Sequence, residues 1–186
     1  MEQLGKEVNA MKYYHPPTNA ERHTERERKF RVLNFRPEFI PPDAELVDIE
    51  QSYLLDVGKT SRRVRKSLVE GRVFYTYTEK TSVGIPGERD EYERPITEEE
   101  YRMLLLKQDP ATRVVRKTRS CFMFAGKLIE FDTFYEPVPG LYVAEIELNG
   151  WHESIELPPE WDFVEVTADK RYTNHAIAQG RLPWPY

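Results

Sequence analysis

Residues Leu141-Tyr142-Val143-Ala144-Glu145-Ile146-Glu147-Leu148 alternate in the manner of a β-strand. Successive side chains of a strand point to opposite faces. Tyr142, Ala144, Ile146 and Leu148 therefore share one face, and Glu145 and Glu147 share the other. The same reading extends outward along the chain. Between 127 and 136, Ile129, Phe131 and Tyr135 lie on one face and Glu130 and Asp132 on the opposite one. The stretch 61–69 sets Arg63 beside Arg65, 112–120 sets Lys117 beside Arg119, and 25–33 puts Glu25, Glu27 and Lys29 on one side. Glu91 aligns with Glu93 in 88–95, and Lys80 closes the run Tyr75-Thr76-Tyr77-Thr78-Glu79-Lys80.

With 46–56, 72–80 and 141–148, these segments make eight expected strands. Turn formers at Glu70-Gly71, Gly84 to Gly87, Gly126 and Pro137 to Gly140 separate several of them. Many short strands in succession predict a meander or barrel rather than an alternating parallel sheet. Thr97-Glu98-Glu99-Glu100 is a capping box that opens a helix running to about Lys107. Thr173 or Asn174 caps a second, short helix through Ala178, stopped by Gly180. Residues 1–24 show no sustained periodicity and read as a flexible or loosely docked extension. The domain proper is expected over 25–180, followed by a tail over 181–186.

A chain of 186 residues suits one domain, and 39% hydrophobic residues supply a core. The net charge of −5 lacks the basic excess that usually grips a nucleic-acid backbone, so no duplex partner is expected. A single cysteine, Cys121, forms no internal disulfide and calls for no oxidising compartment. The first twenty residues carry no apolar h-region, and the run Met103 to Leu106 is far too short to span a bilayer. The expectation is a soluble cytoplasmic protein with no membrane partner.

Taken singly, each charged pair reads as the solvated face of an antiparallel sheet. Taken together, basic and acidic pairs are segregated strand by strand, whereas a solubilising surface mixes them. If the sheet closes with its apolar faces outward, the charged faces line a tunnel. Such charges are costly unless they pair with one another or with a ligand. Lysine and arginine bind phosphoryl oxygens, and clustered carboxylates suit a hard cation such as Mg²⁺ or Mn²⁺. That combination points to metal-assisted phosphoryl chemistry on a linear oligophosphate or nucleoside triphosphate.

The ordered motifs resemble the CYTH domain, or triphosphate tunnel metalloenzyme family. Glu25-Arg26-Glu27-Arg28-Lys29 fits its ExExK signature. Ile49 to Leu54, Arg63-Val64-Arg65, Tyr77-Thr78-Glu79-Lys80 and Glu91-Tyr92-Glu93 resemble the strands that follow. Lys117-Thr118-Arg119, Glu145-Ile146-Glu147, and Glu165-Val166-Thr167 with Asp169 to Asn174 complete the series. The resemblance covers roughly residues 25–180. It implies an α+β, mainly β fold: an eight-stranded antiparallel closed tunnel with flanking helices.

It further implies a divalent-metal-dependent enzyme acting on a triphosphate. Glu25, Glu27, Glu145 and Glu147 are then metal ligands or position the attacking water. Lys29, Arg63, Arg65, Lys80, Lys117 and Arg119 grip phosphates, with Lys80 a donor to the leaving group. The catalytic set is Glu25, Glu27, Lys80 and Glu147. Glu91, Glu93 and Asp132 face the lumen in roles left open, and Lys170 or Arg171 sits near an opening closed by the last helix. Tripolyphosphate is the leading substrate, with thiamine triphosphate and ATP as alternatives. A class IV adenylate cyclase and a non-catalytic nucleotide or polyphosphate binder are the competing functions, and a homodimer is left open. The chain departs from the pattern in the 24 residues before Glu25, which are expected to cover one tunnel mouth, and in Tyr77, where leucine is usual. His15, His23, His152 and His175 show no zinc spacing, and Cys121 reads as a buried bystander. Trp151, Trp161 and Trp184 read as packing residues rather than base-stacking ones.

Overall fold

In the computed structural model, which describes residues 11–181, the chain folds as strands β1 (Glu21–Val32), β2 (Glu45–Val57), β3 (Thr60–Val69), β4 (Arg72–Ser82) and β5 (Glu88–Pro95). Helix α1 (Glu98–Leu105) precedes β6 (Val115–Phe124), β7 (Lys127–Glu136) and β8 (Tyr142–Glu147). A short β9 (Phe163–Glu165) and helix α2 (Asn174–Ala178) complete the fold. The order around the sheet is β5-β4-β3-β2-β6-β7-β8-β1, and β1 returns to β5, so eight antiparallel strands close into a barrel. Closure rests on the length of β1. Its first half pairs with β5 from Glu21↔Glu93 to Arg26↔Glu88, and its second half pairs with β8 from Glu27↔Glu147 to Arg31↔Val143. β9 adds to β1 at Phe30–Val32. No helix among the described residues is long and apolar enough to cross a membrane.

Local sequence accounts for the hairpins. Glu70-Gly71 and Ala125-Gly126 take positive φ at both turn positions, the geometry that matches twisted two-stranded connections. Gly87 is needed for a different reason: a Cβ there would lie 2.6 Å from the Glu27 carbonyl oxygen, where the Gly87 carbonyl accepts the Glu27 N–H at 2.9 Å. Thr97 caps α1, its hydroxyl accepting the Glu100 N–H at 3.1 Å. Thr97→Ala is expected to cost about 1 kcal/mol of stability, measured by denaturant unfolding. Thr173 caps α2 in the same way, accepting from Ala176 N–H.

The alternation sorts the barrel into two faces. Outside, Phe30, Phe122, Phe131, Ala144 and Ile146 pack beneath Trp161 and Phe35, while Leu54, Val64 and Tyr77 pack beneath Tyr101 of α1. Tyr77 thus faces outward, as alternation from Lys80 predicts. Inside, charge dominates the middle and apolar side chains close the two ends. At one end Val115, Phe134 and Val143 meet Ile177 and Ala178 of α2. At the other, Val47, Ile49, Val69 and Cys121 meet Tyr14.

Several boundaries differ from expectation; β4 and β6 also run on to Ser82 and Phe124. β1 begins at Glu21, because residues 21–24 pair with β5 despite lacking an apolar face. β6 begins at Val115 rather than 112, because Asp109 folds a turn whose carboxylate accepts Ala111 N–H at 2.9 Å. Helix α1 ends at Leu105, with Leu106 as its cap. β9 was not expected. Trp151 is 43% exposed and donates to Glu88, and Trp184 lies outside the described residues.

Candidate active site

The barrel encloses a cavity of about 380 Å³ that gathers side chains from all eight barrel strands. Glu25, Glu27 and Lys29 of β1, Arg63 and Arg65 of β3, Lys80 of β4, Glu91 and Glu93 of β5, Arg119 of β6, and Glu145 and Glu147 of β8 all line it. The period-two pattern explains why, since each strand turns one charged stripe inward. Three expected residues are placed otherwise. Lys117 and Asp132 are almost wholly buried beside Arg119, toward α2, and do not line the cavity. Lys170 is exposed on a short 3-10 turn, capped by Asp169 and anchored by buried Tyr172, and it is also absent from the lining.

The buried charges form two connected groups. Lys29 bridges Glu27, at 2.9 Å, and Glu145. Arg119 reaches the other Glu145 oxygen at 2.6 Å, chelates Asp132 through Nε and Nη2 at 2.8 Å each, and meets Glu130. Lys117 donates to Asp132 and, at 3.3 Å, to Asn174 of α2. Across the lumen, Lys80 lies between Glu25 at 2.6 Å and Glu91 at 2.5 Å, and Thr78 donates to Glu93 at 2.7 Å.

These networks perturb the acids in opposite directions. Burial would raise Glu145, but Lys29 and then Arg119 outweigh it and hold the carboxyl well below its ordinary range. Glu91 and Glu93 are likewise lowered: burial opposes, while Lys80 acts on Glu91 and Arg65 on Glu93. Glu27 is raised, first by burial and then by Glu25, with Lys29 only partly offsetting them. Glu147 is also raised, by desolvation inside the tunnel and then by Glu25, even though its side chain is accessible from the cavity. Among the bases, burial pulls Lys29 and Lys80 down, but Glu145 and Glu25 respectively lead the carboxylates that raise them. Burial takes Lys117 down to about 8 despite Asp132.

Arg63 and Arg65 stand apart. Both are buried, the Nε of each has no hydrogen-bond partner, and neither forms an ion pair with a described residue. A buried guanidinium left in that state is stabilised by an anion that supplies the missing acceptors.

Glu25, Glu27 and Glu147 have the donor chemistry for a hard divalent cation. Glu27 and Glu147 are directly opposed across β1 and β8, an unfavourable pairing that a cation would relieve. Glu145 is already satisfied by Lys29 and Arg119, which makes it the poorest donor of the four expected. Among the described residues no three carboxylates converge on one point, because Glu25 and Glu27 are turned toward Lys80 and Lys29.

Several lining residues carry no assigned role in the sequence pattern. Arg89 shares its face with Glu91 and Glu93, and its guanidinium lies 3.6 Å from Glu27, so the alternation itself could have found it. Thr78 is found in the same way from Lys80. Tyr53 stacks on His175 of α2 at 4.7 Å between ring centroids, a contact with no local signal. His15 and His23 also reach the cavity, though they lie far apart from His175 in sequence. Cys121 is buried, its thiol pushed up to about 12 by burial, in keeping with a bystander.

A closed antiparallel barrel lined by segregated carboxylates and basic side chains is the architecture of a triphosphate tunnel. No protein-family model matches the chain. It is 38% identical over 162 residues to an inorganic triphosphatase of Nitrosomonas europaea, covering 83% of this chain and 97% of that one. An inorganic triphosphatase of Acetivibrio thermocellus is 36% identical over 129 residues, 69% of this chain and 78% of that one. A crystal structure of an inorganic triphosphatase superposes with a TM-score of 0.58 at 30% identity, over 83% and 94% of the two chains. The chain belongs to the inorganic triphosphatase family of CYTH, or triphosphate tunnel, enzymes.

Proposed function

We propose that this protein hydrolyses inorganic tripolyphosphate to pyrophosphate and phosphate, with Mg²⁺ or Mn²⁺ held by Glu25, Glu27 and Glu147. The observation that carries the reading is the pairing of opposites in one small cavity: unpaired Arg63 and Arg65 face a lumen whose Glu27 and Glu147 are held above the ordinary range. A cavity of about 380 Å³ is near the small end of ligand sites, which run from about 300 to 1,000 Å³, and it suits a compact polyanion. When bound, such a cation would supply positive charge beside the phosphate and would lower the pKa of water.

The chain's own groups do the rest. Arg63 and Arg65 take phosphoryl oxygens and fix the substrate along the tunnel. Lys80 stays protonated beside Glu25 and Glu91 and neutralises the charge that develops on the leaving pyrophosphate. Glu147, with its raised pKa and access to the cavity, is the carboxylate best placed to accept a proton from the attacking water. Lys29 and Arg119 hold Glu145 in place, and Asp132 with Lys117 supports Arg119.

The direct test follows phosphate and pyrophosphate release from tripolyphosphate and ATP with Mg²⁺, Mn²⁺ or EDTA, with cyclic AMP measured in parallel. Metal-dependent phosphate release with tripolyphosphate preferred is expected, and activity is expected to vanish in EDTA. Cyclic AMP with stoichiometric pyrophosphate would reassign the site to a cyclase. Arg65→Ala is expected to lower kcat/KM by about 10²-fold, mainly through KM. Unchanged kinetics would take Arg65 out of the substrate site.

A further inference from the structure

The segment Met11-Lys12-Tyr13-Tyr14-His15-Pro16 is seated in one end of the barrel. Glu45, buried at the start of β2, accepts the backbone N–H groups of Lys12 at 2.7 Å, Tyr13 at 2.9 Å and Tyr14 at 2.5 Å. A carboxylate that takes several backbone N–H groups holds a segment with charge-assisted bonds. Lys12 adds an ion pair with Asp43 at 2.8 Å. Tyr14 is buried among Val47, Ile49, Val69 and Cys121. On their strands these positions share the inward face with Gln51, Arg65 and Arg119, so the ring lies inside the barrel. Its hydroxyl bonds Ser67 at 2.7 Å, and Ser67 is the next inward position after Arg65. Tyr13, His15 and Pro16 then form part of the cavity wall. The opposite end is closed by α2, with His175 against Tyr53. The phosphate-binding residues thus lie between two stoppers, and this segment bears no carboxylate to repel a polyanion.

We infer that residues 11–16 are a specificity-determining strap: by filling one tunnel mouth they restrict the site to a short inorganic oligophosphate and exclude triphosphates that carry a bulky organic group. This rests on the tripolyphosphatase reading above and names the element that selects the substrate. The strap acts by exclusion. Its loss is therefore expected to admit larger ligands without weakening the grip of Arg63 and Arg65 on phosphate.

Two variants test it in the full-length chain. Glu45→Ala removes the acceptor for the backbone N–H groups and should release the strap, seen as tryptic cleavage after Lys12 accelerated by about tenfold or more. Tyr13→Gly with His15→Gly thins the wall while leaving Glu45 and Tyr14 as anchors. In both, the ratio of kcat/KM for ATP to that for tripolyphosphate should rise by about tenfold or more. Tripolyphosphate itself should stay within about threefold of wild type. The ratio of ATP to tripolyphosphate affinity, measured by calorimetry, should rise in parallel, and this readout stands even if the wild-type protein turns over neither compound. Unchanged ratios in folded variants whose strap is cleaved faster would overturn the inference. So would a falling ATP ratio, which would make the strap a platform for the organic group. Absence of tripolyphosphate turnover in the wild-type protein would instead count against the proposed activity.

Discussion

Glu27→Gln is expected to lower kcat for tripolyphosphate by on the order of 10³-fold while the folded protein remains as stable as wild type, or becomes more so. The two halves of this expectation have one cause. Glu27 is buried at β1 opposite Glu147, and its pKa is raised because burial, then Glu25 and Glu145, outweigh Lys29. A neutral amide of the same shape relieves that crowding, and Lys29 retains Glu145. The amide cannot supply the charge a divalent cation needs, so chemistry suffers where folding does not. Steady-state kinetics with thermal unfolding decides the matter. A near-wild-type kcat would remove Glu27 from the catalytic set, and a large fall in melting temperature would make its role structural.

Asp132→Asn should do the reverse, costing about 3–5 kcal/mol of stability at neutral pH. Asp132 is fully buried between Lys117 and Arg119 and chelates the guanidinium. Arg119 keeps Glu130 and Glu145 in the variant, but Lys117 loses its only carboxylate partner among the described residues. The deficit should also depend on pH. Burial already takes Lys117 down to about 8 from an ordinary 10.5, and loss of Asp132 lowers it further. Between the depressed folded value and 10.5 the unfolded chain binds more protons, so stability rises with pH across that window. Urea unfolding at pH 7 and pH 9 should therefore show a smaller penalty at the higher pH. A loss under about 1 kcal/mol at pH 7 would mean that water satisfies the lysine instead.

The candidate site was legible where function and alternation coincide. Glu25, Glu27 and Lys29, or Arg63 and Arg65, sit two apart on one strand, and a period of two is enough to put them on one face. Arg89 obeys the same rule, although no second basic residue on its strand face marks it. Ranking the members was another matter. Nothing local separates Lys117 from Arg119, yet Lys117 is sealed between Asp132 and Asn174 while Arg119 reaches the cavity. Glu145 and Glu147 are likewise equivalent in sequence, but Lys29 and Arg119 satisfy the first and leave the second raised.

Boundaries were least legible where polarity is uniform. Residues 21–24 carry no apolar face, so periodicity is silent, and their pairing with β5 is a long-range event. β9 has three exposed residues and exists because β1 offers it an edge. The strands, the inward charged stripes, the helix caps and, through ordered motifs, the family are all readable from the linear order of residues. Those features repeat over a few residues and follow from local stereochemistry. Folding in three dimensions settles which charges pair, which guanidiniums lack an ion pair among the described residues, and that Tyr14 and α2 stop the two ends of the tunnel. Such contacts join residues distant in the chain, and their energies depend on burial, which no short stretch of sequence encodes.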